Sequence, residues 1–320
     1  MLLATPVMRA LRERYDAVYA LTTPAHRDVL AGNPDLAGVL TDDAPFGTMA
    51  GRLRAERFDA AVVTWATARS AALPVAAGIP VRVGQARRIY STLFTKRVVV
   101  RSELGDRTTH WTQILLDYAR ALGCDVADAT PSFAFAQADA DAAAALRARK
   151  GVAGAYAILH PTRGISAARE RWPAHHLGEL AGALRAAFGV PVLVSGTAGD
   201  APIADSVAAA GGAQSIAGET TIKQYGALAA AARYVVAMDS GPMHVAAAVG
   251  APTTGIFALQ SDEPDRWRPL GPATAIVRPS YPCPPSHRKE TCPDFACVRA
   301  LPFEPILAAA GGLLAGRPEG

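Results

Sequence analysis

The sequence predicts an α/β protein built from two doubly wound halves. Short apolar, strand-like runs alternate with alanine-rich helical runs, which is the pattern of parallel sheets covered by helices on both faces. The alternation restarts after residue 150, and a chain of 320 residues is long enough for two buried cores. We therefore predict Rossmann-like domains over residues 1–145 and 146–320. The stretch 137–151 lacks a core pattern of its own and is assigned to a linker helix.

The first half begins with a helix instead of a strand. In the opening "ATP", Thr5 is the predicted N-cap and Pro6 the first helical residue. Doubly wound domains usually begin with a strand, and that strand is often central in the sheet. The sequence as given therefore predicts a sheet whose first strand is missing. The runs that indicate strands in this half are AVYAL (17–21), AGVL (37–40), DAAVVTW (59–65) and VRVG (81–84).

The second half alternates strands and helices up to a polar turn. Its predicted strands cover residues 156–160, 190–196 and 233–238, and its predicted helices cover 175–189, 200–212 and 221–232. After the last of these strands the chain reads "DSGPMH", and a further helix and strand follow. Ligands of parallel α/β sheets bind beyond the carboxyl ends of the strands. This turn is therefore the main candidate site.

The turn over residues 239–244 has the groups of an anion-binding site. The backbone N–H groups of Met243 and His244 lie at a helix N-terminus, which carries a charge of about +0.5. Gly241 allows a ligand to approach the backbone, and the side chains of Ser240 and His244 add hydrogen-bonding groups. These features suit a phosphate or a diphosphate. A capped helix without a ligand explains the same turn, and the residues alone leave both interpretations open.

The composition is that of a globular protein, and it limits the classes of partner. A net charge of +4 suits an anionic ligand or an acidic membrane surface, but the chain lacks the dense Lys/Arg blocks of a nucleic-acid-binding protein. No apolar run is as long as a membrane span, and no signal-peptide pattern follows Met1. The four cysteines do not suggest a disulfide framework. We expect a cytoplasmic protein that binds no nucleic acid.

A longer pattern surrounds the polar turn. It runs Asp-Ser-Gly-x-x-His-x-x-Ala-Ala, then Gly-x-Pro, and it is carried by Asp239, Ser240, Gly241, His244, Ala247, Ala248, Gly250 and Pro252. With this pattern, residues 217–269 resemble the donor-binding region of glycosyltransferase family 9, the ADP-heptose:lipopolysaccharide heptosyltransferases. Residues 159–184 resemble the family's Trp-Pro segment, residues 281–306 its cysteine-containing end, and residues 1–15 part of its first motif. The resemblance therefore covers nearly the whole chain.

The resemblance implies a GT-B architecture, in which two Rossmann-like domains face each other across a cleft. It implies inverting transfer of a sugar, heptose from ADP-heptose, onto a lipopolysaccharide core or related surface-glycan acceptor, with no metal or other cofactor. The implied partners are the nucleotide-sugar and a lipid-linked glycan, with peripheral contact at the inner face of the inner membrane. The donor-binding residues expected in the second half are Thr162, Arg169, Arg171, Asp239, Ser240, Gly241, Met243 and His244.

Two departures from the family pattern bear on activity. Where the family has a lysine two residues before Trp-Pro, this chain has Glu170 between Arg169 and Arg171. An arginine would neutralise the diphosphate with a different hydrogen-bond geometry. The family's general base is an Asp whose position would lie upstream of Met1, so the catalytic residue is left unassigned. We interpret the start as an internal valine codon read as an initiator, and we expect the chain as given to be weakly active or inactive.

Basic residues in the first half are candidate acceptor contacts. The stretch 84–97 carries Arg87 and Arg88 beside aromatic residues, and His110 opens a predicted helix. A phosphorylated or carboxylate-bearing acceptor sugar would bind such residues. A solvated loop and a packed helix end are the alternative explanations.

Other functions fit the sequence less well. A serine hydrolase would need Gly-x-Ser-x-Gly around Ser240, and a dinucleotide-dependent oxidoreductase would need Gly-x-Gly-x-x-Gly after a strand. A zinc site would be built from Cys283, His287, Cys292 and Cys297, but their spacing lacks paired Cys-x₂-Cys motifs and reduced thiols are favoured. Two alternatives remain open: a GT-B transferase with another donor, and a degenerate, non-catalytic nucleotide-sugar-binding paralogue.

Overall fold

The computed structural model describes residues 1–163, 171–259, 261–282, 284 and 292–315. The chain divides into two compact units, unit 1 over Met1–Ser132 and unit 2 over Phe133–Gly320. The predicted boundary near residue 145 falls inside helix Gln137–Arg149 of unit 2. This helix packs against helix Ile222–Ala231 and buries Ala143 and Leu146, so it belongs to the core of unit 2 and is not a free linker.

Unit 1 contains five short strands and five α-helices. The strands are β1 (Tyr19–Thr22), β2 (Gly38–Thr41), β3 (Ala60–Val63), β4 (Val81–Gln85) and β5 (Lys96–Val98). The helices are α1 (Thr5–Arg12), α2 (Arg27–Leu30), α3 (Phe46–Ala55), α4 (Ala68–Ala76) and α5 (Trp111–Arg120). Short 3₁₀ segments lie at Leu2–Ala4, Pro24–His26, Ile89–Leu93 and Arg101–Leu104.

The strands of unit 1 form two separate parallel sheets. One has the order β1-β2 and the other β3-β4-β5, and within residues 1–132, all of which the structure describes, β1 does not pair with β3. In the doubly wound order 3-2-1-4-5-6, these sheets fit positions 3-2 and 4-5-6, and position 1 has no strand. Leu21 of β1, Leu40 of β2 and Ala61 of β3 all pack on one apolar cluster from α3 and α4. The helix-first reading of this half is confirmed.

Two local predictions in unit 1 need correction. Thr5 is not the N-cap of α1, because a 3₁₀ turn precedes it; Thr5 is the first helical residue and its hydroxyl donates to the Leu2 carbonyl (2.9 Å). The basic stretch 84–97 is not a simple loop, since it includes a 3₁₀ turn and β5. Within it Phe94 is buried and its ring covers Gly84, so this aromatic residue belongs to the core.

The described residues of unit 2 form one sheet with six strands. These are β6 (Ala157–His160), β7 (Val192–Val194), β8 (Gln214–Ser215), β9 (Tyr234–Met238), β10 (Thr253–Ile256) and β11 (Thr274–Val277). The helices are α6 (Gln137–Arg149), α7 (Ala174–Phe188), α8 (Ala201–Gly211), α9 (Ile222–Ala231), α10 (Gly241–Ala248), α11 (Pro264–Trp267), α12 (Ala296–Arg299) and α13 (Glu304–Ala315). No helix in the described part of the chain is long and apolar enough to cross a membrane.

The strand order of unit 2 places a switch point at its centre. The order is β11-β10-β9-β6-β7-β8 and all pairs are parallel. From β6 the chain builds outward through β7 and β8, and it then returns to β9 on the other side of β6. All residues of β6 and β9 are buried, as expected for central strands covered on both faces. Ligands bind beyond the carboxyl ends of strands at such a point.

Candidate functional site

The carboxyl ends of β6 and β9 bring two of the predicted segments together. His160 at the end of β6 is in register with Ala237 of β9. Because the strands are parallel, Thr162 and Asp239, each two residues further on, reach the same edge of the sheet. The structure therefore joins at this edge two segments that the sequence analysis selected from different parts of the chain.

The polar turn has the geometry of a helix N-terminus with an unused hydroxyl. Ser240 is the N-cap of α10 with extended backbone angles, but its side chain makes no capping hydrogen bond. Its Oγ is buried and has no hydrogen-bond partner among the residues that the structure describes. Beyond the adjoining backbone of α10 and the chain neighbours of Gly241, no atom of the described residues lies within 4 Å of where a Cβ on Gly241 would be. Within the described part of the chain, the space beside this backbone is therefore open. The alternative to an anion site was a helix capped without a ligand. The Ser240 side chain does not form such a cap.

Met243 and His244 have different surroundings within the first turn of α10. Met243 is fully buried and its sulfur packs on Gly255 of β10, so its side chain anchors the helix to the sheet. His244 is also buried, with 9% of its surface exposed. For Met243, therefore, the backbone N–H and not the side chain is suited to contact a ligand.

Arg163 is a charged residue of this site that the sequence analysis missed. It follows Thr162 directly and its guanidinium forms ion pairs with Asp239 (Nη2 to Oδ2, 3.0 Å) and with Asp262. The Arg163 side chain is 10% exposed, and its Nε is buried with no hydrogen-bond partner among the described residues. The signal in the sequence was an arginine three residues beyond the end of a buried strand, directly after the predicted Thr162.

The loop that supplies Asp262 is held in place by further hydrogen bonds. One carboxylate oxygen of Asp262 accepts from the Leu259 backbone N–H (3.0 Å), and the Asp262 carbonyl accepts from Arg278 (2.9 Å). Asp262 is thus a fixed partner of Arg163. Because Arg163 also neutralises Asp239, the carboxylate at the start of the turn is not a bare negative charge beside the open space.

Two further side chains near the turn, those of His160 and Tyr225, are uncharged at neutral pH. The ring of His160 lies 3.0 Å from Ser195 Oγ through Nδ1 and 3.4 Å from Thr162 Oγ1 through Nε2, and burial lowers the pKa of His160 to about 4. The hydroxyl of Tyr225 donates to the Pro242 carbonyl (3.3 Å), and burial raises the pKa of Tyr225 well above its usual value. Tyr225 thus helps to hold the turn in place, and neither group adds charge beside it.

Of the two arginines predicted near Trp172 to bind the donor, the structure describes one. Arg169 lies outside the described residues, together with Glu170. Arg171 is described, and its Nε donates to the Cys292 carbonyl (3.0 Å), which ties it to the C-terminal segment.

The cysteine-rich segment is only partly described. Cys283 and His287, two members of the zinc alternative, lie outside the described residues. Cys292 and Cys297 are buried free thiols, as is Cys124. Among the described residues no three His, Cys, Asp or Glu side chains are grouped as metal ligands.

The predicted acceptor residues of unit 1 do not share one environment. Arg87 is exposed and has a positive φ of 63°. Arg88 forms an ion pair with Glu103 (Nη2 to Oε1, 2.7 Å). His110 is buried as the N-cap of α5, and its Nδ1 accepts from the Thr112 backbone N–H (3.2 Å). In the structure His110 thus caps a helix, and Arg88 is already paired.

Comparison with known proteins gives a consistent result. The model of glycosyltransferase family 9 (heptosyltransferase) matches residues 47–294. Lipopolysaccharide heptosyltransferase 2 from Escherichia coli K12 is 26% identical over 303 residues, which cover 87% of this chain and 84% of that protein. The protein of the same name from Salmonella typhimurium is 35% identical over 115 residues, 34% of this chain and 32% of that protein.

A solved structure shows the fold. The chain superposes on E. coli ADP-heptose lps heptosyltransferase II with a TM-score of 0.78 and 21% identity, covering 98% of this chain and 95% of that one. The predicted α/β GT-B fold is therefore confirmed.

Proposed function

Because the chain belongs to glycosyltransferase family 9 (heptosyltransferase), matched over residues 47–294, we propose that it transfers heptose from ADP-heptose onto a lipopolysaccharide core or related surface glycan. The names of its relatives support this donor and this acceptor class. In the proposal, unit 2 binds the nucleotide-sugar and unit 1 the lipid-linked acceptor, at the inner face of the inner membrane.

The observation that carries the proposal is a pair of buried donors without acceptors at the switch point. Ser240 Oγ and Arg163 Nε both lie at the carboxyl ends of β6 and β9, and neither has a hydrogen-bond partner among the described residues. A buried polar group without a partner costs about 1–3 kcal/mol. Both donors adjoin Asp239, which pairs with Arg163 and precedes Ser240. A diphosphate would supply acceptor oxygens to both.

The same arrangement suits departure of the diphosphate. In the proposed reaction an acceptor hydroxyl forms a new C–O bond to the anomeric carbon, the bond from that carbon to the diphosphate breaks, and its electron pair leaves with ADP. A general base takes the hydroxyl proton. Negative charge grows on the diphosphate in the transition state, where the N-terminus of α10 and the Arg163 guanidinium stabilise it. Because Arg163 is paired with Asp239 and Asp262, its contribution would be the hydrogen bond that its Nε donates, and not a net positive charge at the site.

The test is calorimetric titration of the protein with ADP, UDP, GDP and AMP. We expect ADP to bind best. Ser240→Ala should weaken ADP about two- to tenfold, because one neutral hydrogen bond is worth about 0.5–1.5 kcal/mol. The free protein should be as stable as the wild type or more so, since the variant removes a buried hydroxyl that has no described partner. Arg163→Gln should weaken ADP about 10- to 100-fold through the charged hydrogen bond. Arg185→Gln, an exposed charge change in α7, is the matched control.

Each outcome has a definite meaning. If UDP or GDP binds better than ADP, the proposed diphosphate site stands but the donor is not ADP-heptose. Absence of nucleotide binding in a folded wild type would overturn the proposal. ADP release from ADP-heptose in the presence of heptose-deficient lipopolysaccharide would establish a transferase. Nucleotide binding without turnover, both in this chain and in one extended upstream to include the Gly-Asp of the family pattern, would instead identify a non-catalytic paralogue.

A further inference from the structure

A cavity lies within unit 1, and residues of that unit alone line it. Its volume is about 300 Å³, at the small end of the range of ~300–1,000 Å³ found for ligand pockets. Residues at the carboxyl ends of β3 and β4 line it, with Trp65 two residues beyond β3 and Gln85 the last residue of β4. The carboxyl ends of parallel strands are the usual ligand-binding edge of such a sheet. The cavity therefore lies where a ligand of unit 1 is expected.

Glu103 supplies a hydrogen-bond acceptor in this cavity. Its Oε1 accepts from Gln85 Nε2 (2.7 Å) and pairs with Arg88 Nη2 (2.7 Å). Its other oxygen, Oε2, is buried and has no hydrogen-bond partner among the described residues. An ionised carboxylate only accepts hydrogen bonds, so Oε2 lacks a donor. Because Arg88 already balances the charge of Glu103, the missing donor is better matched by a neutral O–H than by a cation.

Aromatic side chains line the same cavity. Trp65 and Trp111 are two of the four tryptophans in the chain, and both contribute to the lining. Trp65 is 77% exposed, an unusual state for so large an apolar ring. A flat indole face binds another apolar face by stacking and leaves polar groups at its edge free to form hydrogen bonds. An apolar surface beside a carboxylate and an amide suits a ligand that has C–H faces and hydroxyl edges.

We propose that this cavity binds a neutral sugar ring, which stacks on Trp65 and donates a hydroxyl to Glu103 Oε2. That this ring is part of the glycosyl acceptor rests on the function proposed above, whereas binding of the ring itself does not. The proposal replaces the expectation that Arg88 meets an acidic group of the acceptor, because the Arg88 charge is already paired with Glu103. The expected ligand is therefore uncharged.

The experiment uses saturation-transfer NMR on the full chain with methyl heptoside, methyl mannoside and mannose 6-phosphate as probes, without nucleotide. We expect saturation of the ring C–H protons of both methyl glycosides. Trp65→Ala should abolish that signal without unfolding the protein, because the side chain is mostly exposed. Glu103→Gln should weaken binding about tenfold or more, as expected for a hydrogen bond to a charged group. Glu56→Gln, an exposed carboxylate of unit 1, should bind like the wild type.

Three results would overturn the inference. They are no signal from either methyl glycoside with folded wild type, equal signals from wild type and Trp65→Ala, and tighter binding of mannose 6-phosphate than of methyl mannoside. ADP titration of the same variants separates this inference from the proposed function. If ADP binds normally while the sugars do not bind, the cavity assignment alone is wrong.

Discussion

The buried His160 makes the stability of unit 2 depend on pH in a direction that its environment determines. Burial lowers the pKa of His160 from 6.5 to about 4. Between these two pH values the imidazole is therefore protonated in the unfolded chain and neutral in the folded one. The stabilisation is fully present above pH 6.5 and is lost as the pH falls toward 4. At pH 5, His160 lowers the free energy of unfolding by RT ln[(1 + 10^1.5)/(1 + 10^−1)], which is about 2 kcal/mol. The same residue already lowers it by about 0.2 kcal/mol at pH 7, so the change between the two pH values is slightly smaller.

The assay is urea unfolding at pH 7 and pH 5 for the wild type and His160→Asn, whose side chain does not titrate. Tryptophan fluorescence is a suitable signal, because the buried Trp172 donates to the Pro161 carbonyl beside His160 (3.0 Å). Between pH 7 and pH 5, the free energy of unfolding of the wild type should fall by about 2 kcal/mol more than that of the variant. Any constant cost of the substitution, and any contribution from unit 1, cancels in this difference.

The control is His175→Asn, whose side chain is 83% exposed on α7. Its free energy of unfolding should fall between pH 7 and pH 5 by the same amount as that of the wild type, within about 0.5 kcal/mol. If His160→Asn also loses as much as the wild type, His160 does not stay neutral in the folded state, and the argument from burial is refuted.

Two further predictions concern packing and capping in unit 2. Gly211→Ala should destabilise the protein by about 1–3 kcal/mol, because a Cβ there would lie 2.7 Å from Ala181 Cβ and closer still to a backbone carbonyl of α7. In α13, no described atom beyond the helix's own backbone and the chain neighbours of Gly312 lies within 4 Å of a Cβ added at Gly312. Gly312→Ala should therefore be neutral or stabilising by up to about 1 kcal/mol, and urea unfolding compares the two variants. Thr221→Ala should cost about 1 kcal/mol, because Thr221 Oγ1 accepts from the Gln224 N–H at the start of α9 (3.2 Å). Thr221→Ser keeps this hydroxyl, and an equal loss in the same assay would contradict a capping role.

The central part of unit 2 was predictable from sequence because its pattern is local. The buried strands β6 and β9 are continuous apolar runs, and the turn at 239–244 follows β9 directly. The short strands β5 and β8 were missed, since three and two residues carry too little pattern to be recognised. The alanine-rich α6 was taken for a linker because few of its residues are large, yet small side chains let it pack against α9.

The charge arrangement of the site was not predictable, because its members are far apart in the sequence. Arg163 and Asp239 are 76 residues apart, and Arg163 and Asp262 are 99 apart. Their contact follows from a strand order that places β6 beside β9 and β10 beyond it, an order that no local motif specifies. The sequence analysis looked for the donor's cation close to Trp-Pro, where the family pattern places it. Arg169 of that segment lies outside the described residues, so that prediction stays open. The sheet brings Arg163 to the same edge as Asp239, because β6 and β9 are parallel neighbours and their carboxyl ends lie side by side. Strand ends therefore point to candidate ligand contacts that spacing along the chain does not show.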